Sequence, residues 1–406
     1  MKKTIFKILL SLALFLPACA GPSIFPNISL STSNPVLAQP IFMAIDETRN
    51  RGYLINSNNL VNYADASLMV LDLSNPTAPV AINVVALANF SGQAYLDTTN
   101  QYLYIANRLS ANVDDAVDQI IQVNVNESSP QYLNMVQYST DGNPFGITSD
   151  GTNLYIACTG SADLIPLSNL NIRTNVSFNV QNNLGVTLNT SGTRELALSP
   201  SGQYLFVTNN TAQMLILNVN QIAIPDPSLQ VTQGGSAAVD YDLANTLSTR
   251  GIVSDSNYIY VVDGSTPALK ILTEQNLPIN TTATPIEIPI SQLAVAEIPL
   301  NTNPNEIALD TINGRVYTTI AGTMSNGNMG TASLNEVSVV DTTTLTQIAQ
   351  ISLTNNLPAG VAAANNPFGI SVGHFGGVPY IYVLNLNSNN ISIINGNTLS
   401  VVASFP

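Results

Sequence analysis

The sequence predicts an all-β chain: a seven-bladed β-propeller of four-stranded antiparallel blades. Two observations carry that expectation. A short motif returns at a nearly constant period, and the same strands and turns surround every copy. The motif is an aromatic residue, two strand formers and an amide or carboxylate. It stands at Tyr53-Leu54-Ile55-Asn56, Tyr104-Ile105-Ala106-Asn107, Phe206-Val207-Thr208-Asn209, Tyr260-Val261-Val262-Asp263 and Tyr382-Val383-Leu384-Asn385. Looser copies are Tyr155-Ile156-Ala157-Cys158 and Tyr317-Thr318-Thr319-Ile320. Their first residues are 51, 51, 51, 54, 57 and 65 positions apart, a period with insertions that grow toward the C-terminus.

Each element of the repeat has its own signal. A short strand and a tight turn precede the motif, as in "GITSDGTNLYIA" and "IALDTINGRVYT", where Asp, Asn, Ser and Gly supply side-chain caps and left-handed backbone. A second apolar strand follows it, as in "SLMVLDLS", "QMLILNVN" and "NISIIN", and then a weaker fourth, as in "PVAINVVAL" and "VVASF". Four strands per unit is the blade of a propeller, and a unit of about 50 residues is too long for the usual solenoid coil. Residues 40 to 87 and 365 to 405 each read as a complete blade.

The closing stretch "NNPFGISVGHFGGVPYIYVLNLNSNNISIINGNTLSVVASF" resembles the YVTN-type repeat of bacterial and archaeal surface propellers: a Pro-x-Gly lead-in, a Tyr-Val-x-Asn strand and a closing apolar strand. "NPFGITSDGTNLYIAC" and "NPNEIALDTINGRVYTTI" repeat the lead-in, and "SLMVLDLSNPTAPVAINVV" is similar to the related LVIVD repeat. The resemblance implies the fold over nearly the whole chain. It implies little about activity, because propellers host binding proteins, scaffolds and several enzyme classes.

The N-terminus concerns location. Lys2, Lys3 and Lys7 lead an apolar run from Ile8 to Leu16, too short to span a bilayer but of the length of a secretory signal. Leu16-Pro17-Ala18-Cys19 resembles the lipobox of bacterial lipoproteins, which implies acylation of Cys19. The expected organisation is therefore a signal peptide over 1–18, a lipidated tether over 19–39 and the propeller over 40–406, in a bacterial cell envelope. The chain carries 11 basic and 25 acidic residues, net −14; losing the three signal lysines leaves eight basic residues and net −17. That balance argues against nucleic acid as a partner. With Cys19 acylated, Cys158 is the only remaining thiol, so no intramolecular disulfide is expected, and a buried inert thiol is the expectation for it.

Loop lengths point to one face. In a propeller with strands a to d, the b–c and d–a loops share a face, and the a–b and c–d loops share the other. Every a–b connection reads as compact. The b–c loops are lengthened in blade one (57–66), blade two (108–118) and blade six (321–335), and long connections over 222–248 and 278–298 read as following blades four and five. All five insertions are then expected on the b–c/d–a face. Candidate binding residues there are Asn59, Tyr63, Asn112, Met324 and Asn326 in the loops, and Asn143, Asn303 and Asn366 in the Asn-Pro lead-ins. For those three asparagines turn chemistry is the favoured role, because the proline fixes the turn into strand a.

Catalytic constellations are weak. His374 is the sole histidine and falls in an a–b turn, away from that face, and no histidine–arginine–carboxylate set like that of lactonase-type propellers assembles. Arg194, Glu195 and Glu306 begin strands a of blades four and six, places from which they could meet at the channel mouth, with an ion pair or a solvated pair favoured over anything catalytic. Asp114, Asp115 and Asp118 form the densest acidic cluster and are a Ca2+ candidate, but their spacing matches no defined calcium loop, and a solvated loop is favoured. The expectation is a monomeric, non-enzymatic module that binds or scaffolds a protein or glycan, with no cofactor. Its alternatives are a hydrolase or lactonase-like enzyme using carboxylates at the channel mouth, and a surface-coat component.

Overall fold

The computed structural model describes residues 37–406 apart from 58–65, 88–90, 108–117, 189, 212, 235–237, 245–247, 283, 323, 326–327 and 330–334. The signal peptide, Cys19, Asn59, Tyr63, Asn112, Asp114, Asp115 and Asn326 lie outside the described residues. Seven antiparallel sheets with strands in the order a-b-c-d follow one another along the chain, and each strand a touches the strand a of the next blade until blade seven meets blade one. The structure is the seven-bladed propeller that the repeats predict. Among the described residues no helix is long and apolar enough to cross a membrane.

The motif is strand b, and its burial explains its composition. Strands b and c lie in the middle of a blade with a neighbouring blade on each face, so they are buried on both sides, as in Tyr204–Asn209 and Asn390–Asn395. Strand d at the rim alternates, as in Ala294–Pro299 and Thr346–Ser352. The aromatic residue that opens the motif, inside strand b, fills the space between blades; Tyr53, Tyr155, Phe206, Tyr260, Tyr317 and Tyr382 are fully buried. Its hydroxyl is also used. Tyr155 and Tyr260 donate at 2.8 Å to Asp150 and Asp255, whose other carboxylate oxygens accept the backbone N–H groups of the a–b turns. The closing amide serves the other end: Asn209 accepts from Thr211 N–H at 3.0 Å, and Asn385 donates to Ser392 Oγ at 2.9 Å.

Two of the five insertions lie where they were not expected. In blade four, strand c is Met214–Asn218 and strand d is Val239–Ala244; in blade five they are Ala268–Leu272 and Ala294–Pro299. The added residues, 219–238 and 273–293, therefore join c to d and leave from the opposite face. Each insertion reaches back over the preceding blade and adds a fifth, parallel strand at its rim. Val231–Gln233 pairs with Arg173–Ser177 of blade three, and Ile286–Pro289 pairs with Val239–Ala244 of blade four. These straps cover two sheet edges that would otherwise stand open.

Among the described residues, ring closure uses no exchanged strand. Blade one (Pro40–Ala86) and blade seven (Pro367–Phe405) are each complete. Side chains hold them together: Ser371 Oγ donates to the carbonyl of Met43 at 2.5 Å, Tyr382 Oη to that of Pro76 at 3.1 Å, and Gln39 N–H to Asn389 Oδ1 at 2.8 Å.

Candidate functional site at the channel mouth

The lead-in to strand a builds the channel mouth. In blades two, four, five, six and seven, two residues of strand a oppose one of strand b, which is a β-bulge. The two bulged residues are Gly92-Gln93, Arg194-Glu195, Arg250-Gly251, Asn305-Glu306 and Phe368-Gly369, and Phe145-Gly146 stands at the same place in blade three. Such a bulge takes side chains out of the alternating pattern and re-aims them. Glycine in the second place answers to packing: a Cβ on Gly146 would stand 2.6 Å from Glu195 Cα, and one on Gly251 2.9 Å from Glu306 Cα. The Pro-x-Gly pattern thus lets one blade close against the bulge of the next.

Arg194, Glu195 and Glu306 do meet. Arg194 Nη2 donates to Glu306 Oε1 at 2.7 Å and Nε donates to Glu195 Oε1 at 3.2 Å. The guanidinium lies between the rings of Phe145 and Phe368, 5.0 and 5.2 Å from their centroids. Glu195 and Glu306 are buried, with relative side-chain exposures of 3% and 8%, and Arg194 is mostly covered at 14%. Burial works against the Arg194 cation, but the charges of Glu306 and Glu195 outweigh it and hold the arginine above its ordinary range. Burial first, then the charge of Glu306, pushes Glu195 well above the usual carboxylate value. Burial and the neighbouring Glu306 thus both favour the protonated form of Glu195.

Strand b supports this pair in a way specific to its two blades. Thr208 Oγ1 accepts Glu195 N–H at 2.9 Å, and Thr319 Oγ1 accepts Glu306 N–H at 3.0 Å. Each threonine occupies the third motif position, where blades two and three carry Ala106 and Ala157. The enclosed space beside the cluster, bordered by Phe42, Gln93, Phe145, Glu306 and Phe368, measures about 30 Å3, room for a water-sized molecule. The mouth is thus plugged by its own side chains. Arg250, Asn305, Gln93, Phe145 and Phe368 were not singled out from sequence; their signal was their place, two or three residues before the first apolar residue of each strand a.

The other candidates fall elsewhere. Asn143, Asn303 and Asn366 have left-handed backbone, φ 53°, 56° and 57°. The carbonyls of Asn303 and Asn366 accept N–H groups from the end of strand b, Ala321 at 3.1 Å and Leu386 at 2.9 Å, so these residues are built into turns. Met324 lies in a two-residue strand paired with Asn328–Met329. Asp118 is the one member of the acidic trio within the described residues, among which no group of three potential ligands is placed to hold a metal. Cys158 is buried, and burial pushes its thiol well up. His374 sits at the a–b end of strand a, its ring nitrogens each 3.0 Å from a carboxylate oxygen, of Glu47 in blade one and Asp310 in blade six.

The a–b/c–d face has features of its own. A groove of about 530 Å3 bordered by Ser201, Tyr258, Glu274 and Val295 adjoins one of about 570 Å3 bordered by Leu309, Ile312, Gly314 and Thr343, with Ser256 and Asn257 shared between them. Ile224 and Ile279, on the two insertions, are 89% and 88% exposed.

No protein-family model matches the chain, and no curated protein does. Solved structures do. The chain is similar to Kuenenia stuttgartiensis hydrazine synthase, with 15% identity, a TM-score of 0.57, and 94% of this chain and 99% of that one covered. It is also similar to the β-propeller domain of Myceliophteria thermophila Cps50 (Swd1), with 9% identity, a TM-score of 0.55, and 92% and 99% covered. At such identities the likeness is one of fold, and the fold is the β-propeller.

Proposed function

We propose that the protein is a lipid-anchored, extracytoplasmic module of the bacterial cell envelope whose b–c/d–a face binds or scaffolds a protein or glycan. The observation that carries this reading is the channel mouth on that face, where a buried Arg194–Glu195–Glu306 cluster plugs the channel. A partner then rests on the face rather than entering the pore. The lengthened b–c loops of blades one, two and six belong to the same face by sequence. The YVTN resemblance and the lipobox around Cys19 support an envelope location, and the acidic balance supports a partner other than nucleic acid. Loops of this length in a compact domain are usually functional or disordered.

Two experiments test it. Cys19→Ser is expected to move the protein from the detergent-rich to the aqueous phase, and unchanged partitioning would remove the anchor from the account. Replacing residues 322–333 by the short turn of blade seven is expected to abolish capture of envelope partners at an unchanged melting temperature; capture that persists at full strength would remove that loop from the binding face.

A second reading, a hydrolase or lactonase-like enzyme, is favoured by one observation: two carboxyl groups, Glu195 and Glu306, share the Arg194 guanidinium, and a carboxyl pair is what general acid–base work needs. The space between them holds no substrate until Arg194 or the two phenylalanines move. Ester or lactone hydrolysis lost in Glu195→Gln would establish this reading in place of the first.

A further inference from the structure

The a–b/c–d face carries two grooves side by side, of about 530 and 570 Å3, each the size of a small-ligand pocket. They repeat one place in successive blades. The first lies between the a–b turns of blades four and five, at Ser201 and Tyr258, and the second between those of blades five and six, at Asn257 and Ile312. The wall they share is the tip of the blade-five turn, Ser256-Asn257, and both of its residues are exposed. A chain lying across that tip reaches both grooves.

Their lining selects the chemistry of what they hold. Among the described residues no lysine, arginine or histidine borders either groove, so an anion finds no counter-charge there. The carboxylates present are committed within the chain. Glu274 accepts Ser201 N–H at 2.8 Å and the Ser201 hydroxyl at 2.7 Å with its two oxygens, and Asp255 accepts two N–H groups of its own turn and the Tyr260 hydroxyl. What remains open is neutral: the side chains of Ser256, Asn257, Gln275, Thr311 and Thr343 are exposed and have no hydrogen-bond partner among the described residues. Apolar surface stands beside these hydroxyls and amides. Val295 in the first groove is 43% exposed and Ile312 in the second 70%, and the half-buried Tyr258 ring is held edge-on against the buried Tyr260 at 6.3 Å. A sugar ring has the same composition, hydroxyls around its edge and C–H groups on its faces.

We propose that the two grooves form one extended binding site for a neutral, linear oligosaccharide, which crosses the blade-five turn at Ser256-Asn257 and places consecutive sugars in each groove. The exposed amide of Asn257 serves both halves. The sugar rings lie on Tyr258 and Val295 in the first groove and on Ile312 in the second, and their hydroxyls meet the open side chains. The site is on the face opposite the channel mouth and takes nothing from the reading given above for that mouth, so its failure would leave that reading standing.

The experiment is a calorimetric titration of the intact protein with chitohexaose, cellohexaose and maltohexaose, each beside its own trisaccharide, with hexagalacturonate as the charged control. At least one hexasaccharide is expected to bind about tenfold more tightly than its trisaccharide, because the shorter chain fills one groove and the longer chain both. Hexagalacturonate is expected not to bind. Asn257→Ala leaves the hydrogen bonds of the fold in place, since the Asn257 side chain makes none among the described residues, and is expected to weaken the hexasaccharide about tenfold at an unchanged melting temperature. Ile312→Ser is expected to bring the hexasaccharide down to the affinity of the trisaccharide. Binding of none of the hexasaccharides overturns the proposal. So does hexagalacturonate binding as tightly as the neutral chains, or a hexasaccharide affinity that is the same in wild type, Asn257→Ala and Ile312→Ser.

Discussion

Glu195 and Glu306 differ by what surrounds them, and that difference is measurable. Glu195 is more readily protonated in the fold than in the unfolded chain, because burial and Glu306 disfavour its charge. A raised carboxylate costs nothing below its unfolded value. The penalty grows as pH rises from there toward the folded value, so stability falls over that range. Glu195→Gln, which mimics the acid, is expected to unfold at the same denaturant concentration as wild type in mild acid and at a higher one at neutral pH. A variant that tracks wild type at every pH would mean that Glu195 is ionised in the native state. Glu306→Gln removes the closer partner of a buried arginine and is expected to cost about 3 kcal/mol, read by urea unfolding at neutral pH.

At the scale of elements, the straps are the least expected feature, and one buried carboxylate reports on them. Asp242, in strand d of blade four beneath the strap strand Ile286–Pro289, shares Asn182 Nδ2 with Glu287, at 3.2 and 2.9 Å. Its Oδ1 has no partner, and burial pushes its pKa up to about 6. Protonation favours the docked strap. Strap stability is thus expected to be fullest below about pH 4 and to decline as pH rises through about 6, by about 2 kcal/mol, with Asp242→Asn flat over the same interval. Hydrogen exchange at Ile286–Pro289 as a function of pH checks it.

The strap also marks the limit of what the sequence made legible. Strands b and c announce themselves because both faces are buried and every position is apolar or a capping amide. Strand d of blade five, "AVAEIP", is half-exposed, that of blade four, "VDYDLA", is buried but interrupted by two aspartates, and both lie beyond their insertions, so the insertions read as loops following a finished blade. The strap strands are three and four residues long and pair in parallel, too short to show a period of two. At the mouth, the meeting of Arg194 with Glu195 and Glu306 was legible from their equivalent places in the repeat. The aromatic clamp of Phe145 and Phe368 was not, because a bulge re-aims side chains without changing the hydrophobic pattern.

The whole molecule is a ring closed by side chains, and His374 ties three blades at that junction. With a carboxylate at both ring nitrogens, it bridges blade seven to Glu47 of blade one and Asp310 of blade six. His374→Gln is expected to lower stability by about 2 kcal/mol, since it leaves the buried Asp310 short of a partner. An unchanged urea midpoint would show that the remaining contacts between blades close the ring without His374. The ring presents two different faces: a mouth filled by Arg194, Glu195 and Glu306 on one, and grooves beside the straps on the other. The direct measurement of which face works is a hydrogen-exchange footprint of the propeller with its captured partner. The account predicts protection at the strand-a lead-ins around Asn143, Asn303 and Asn366 and in the b–c loops. Protection confined to residues 219–238 and 273–293 would contradict it.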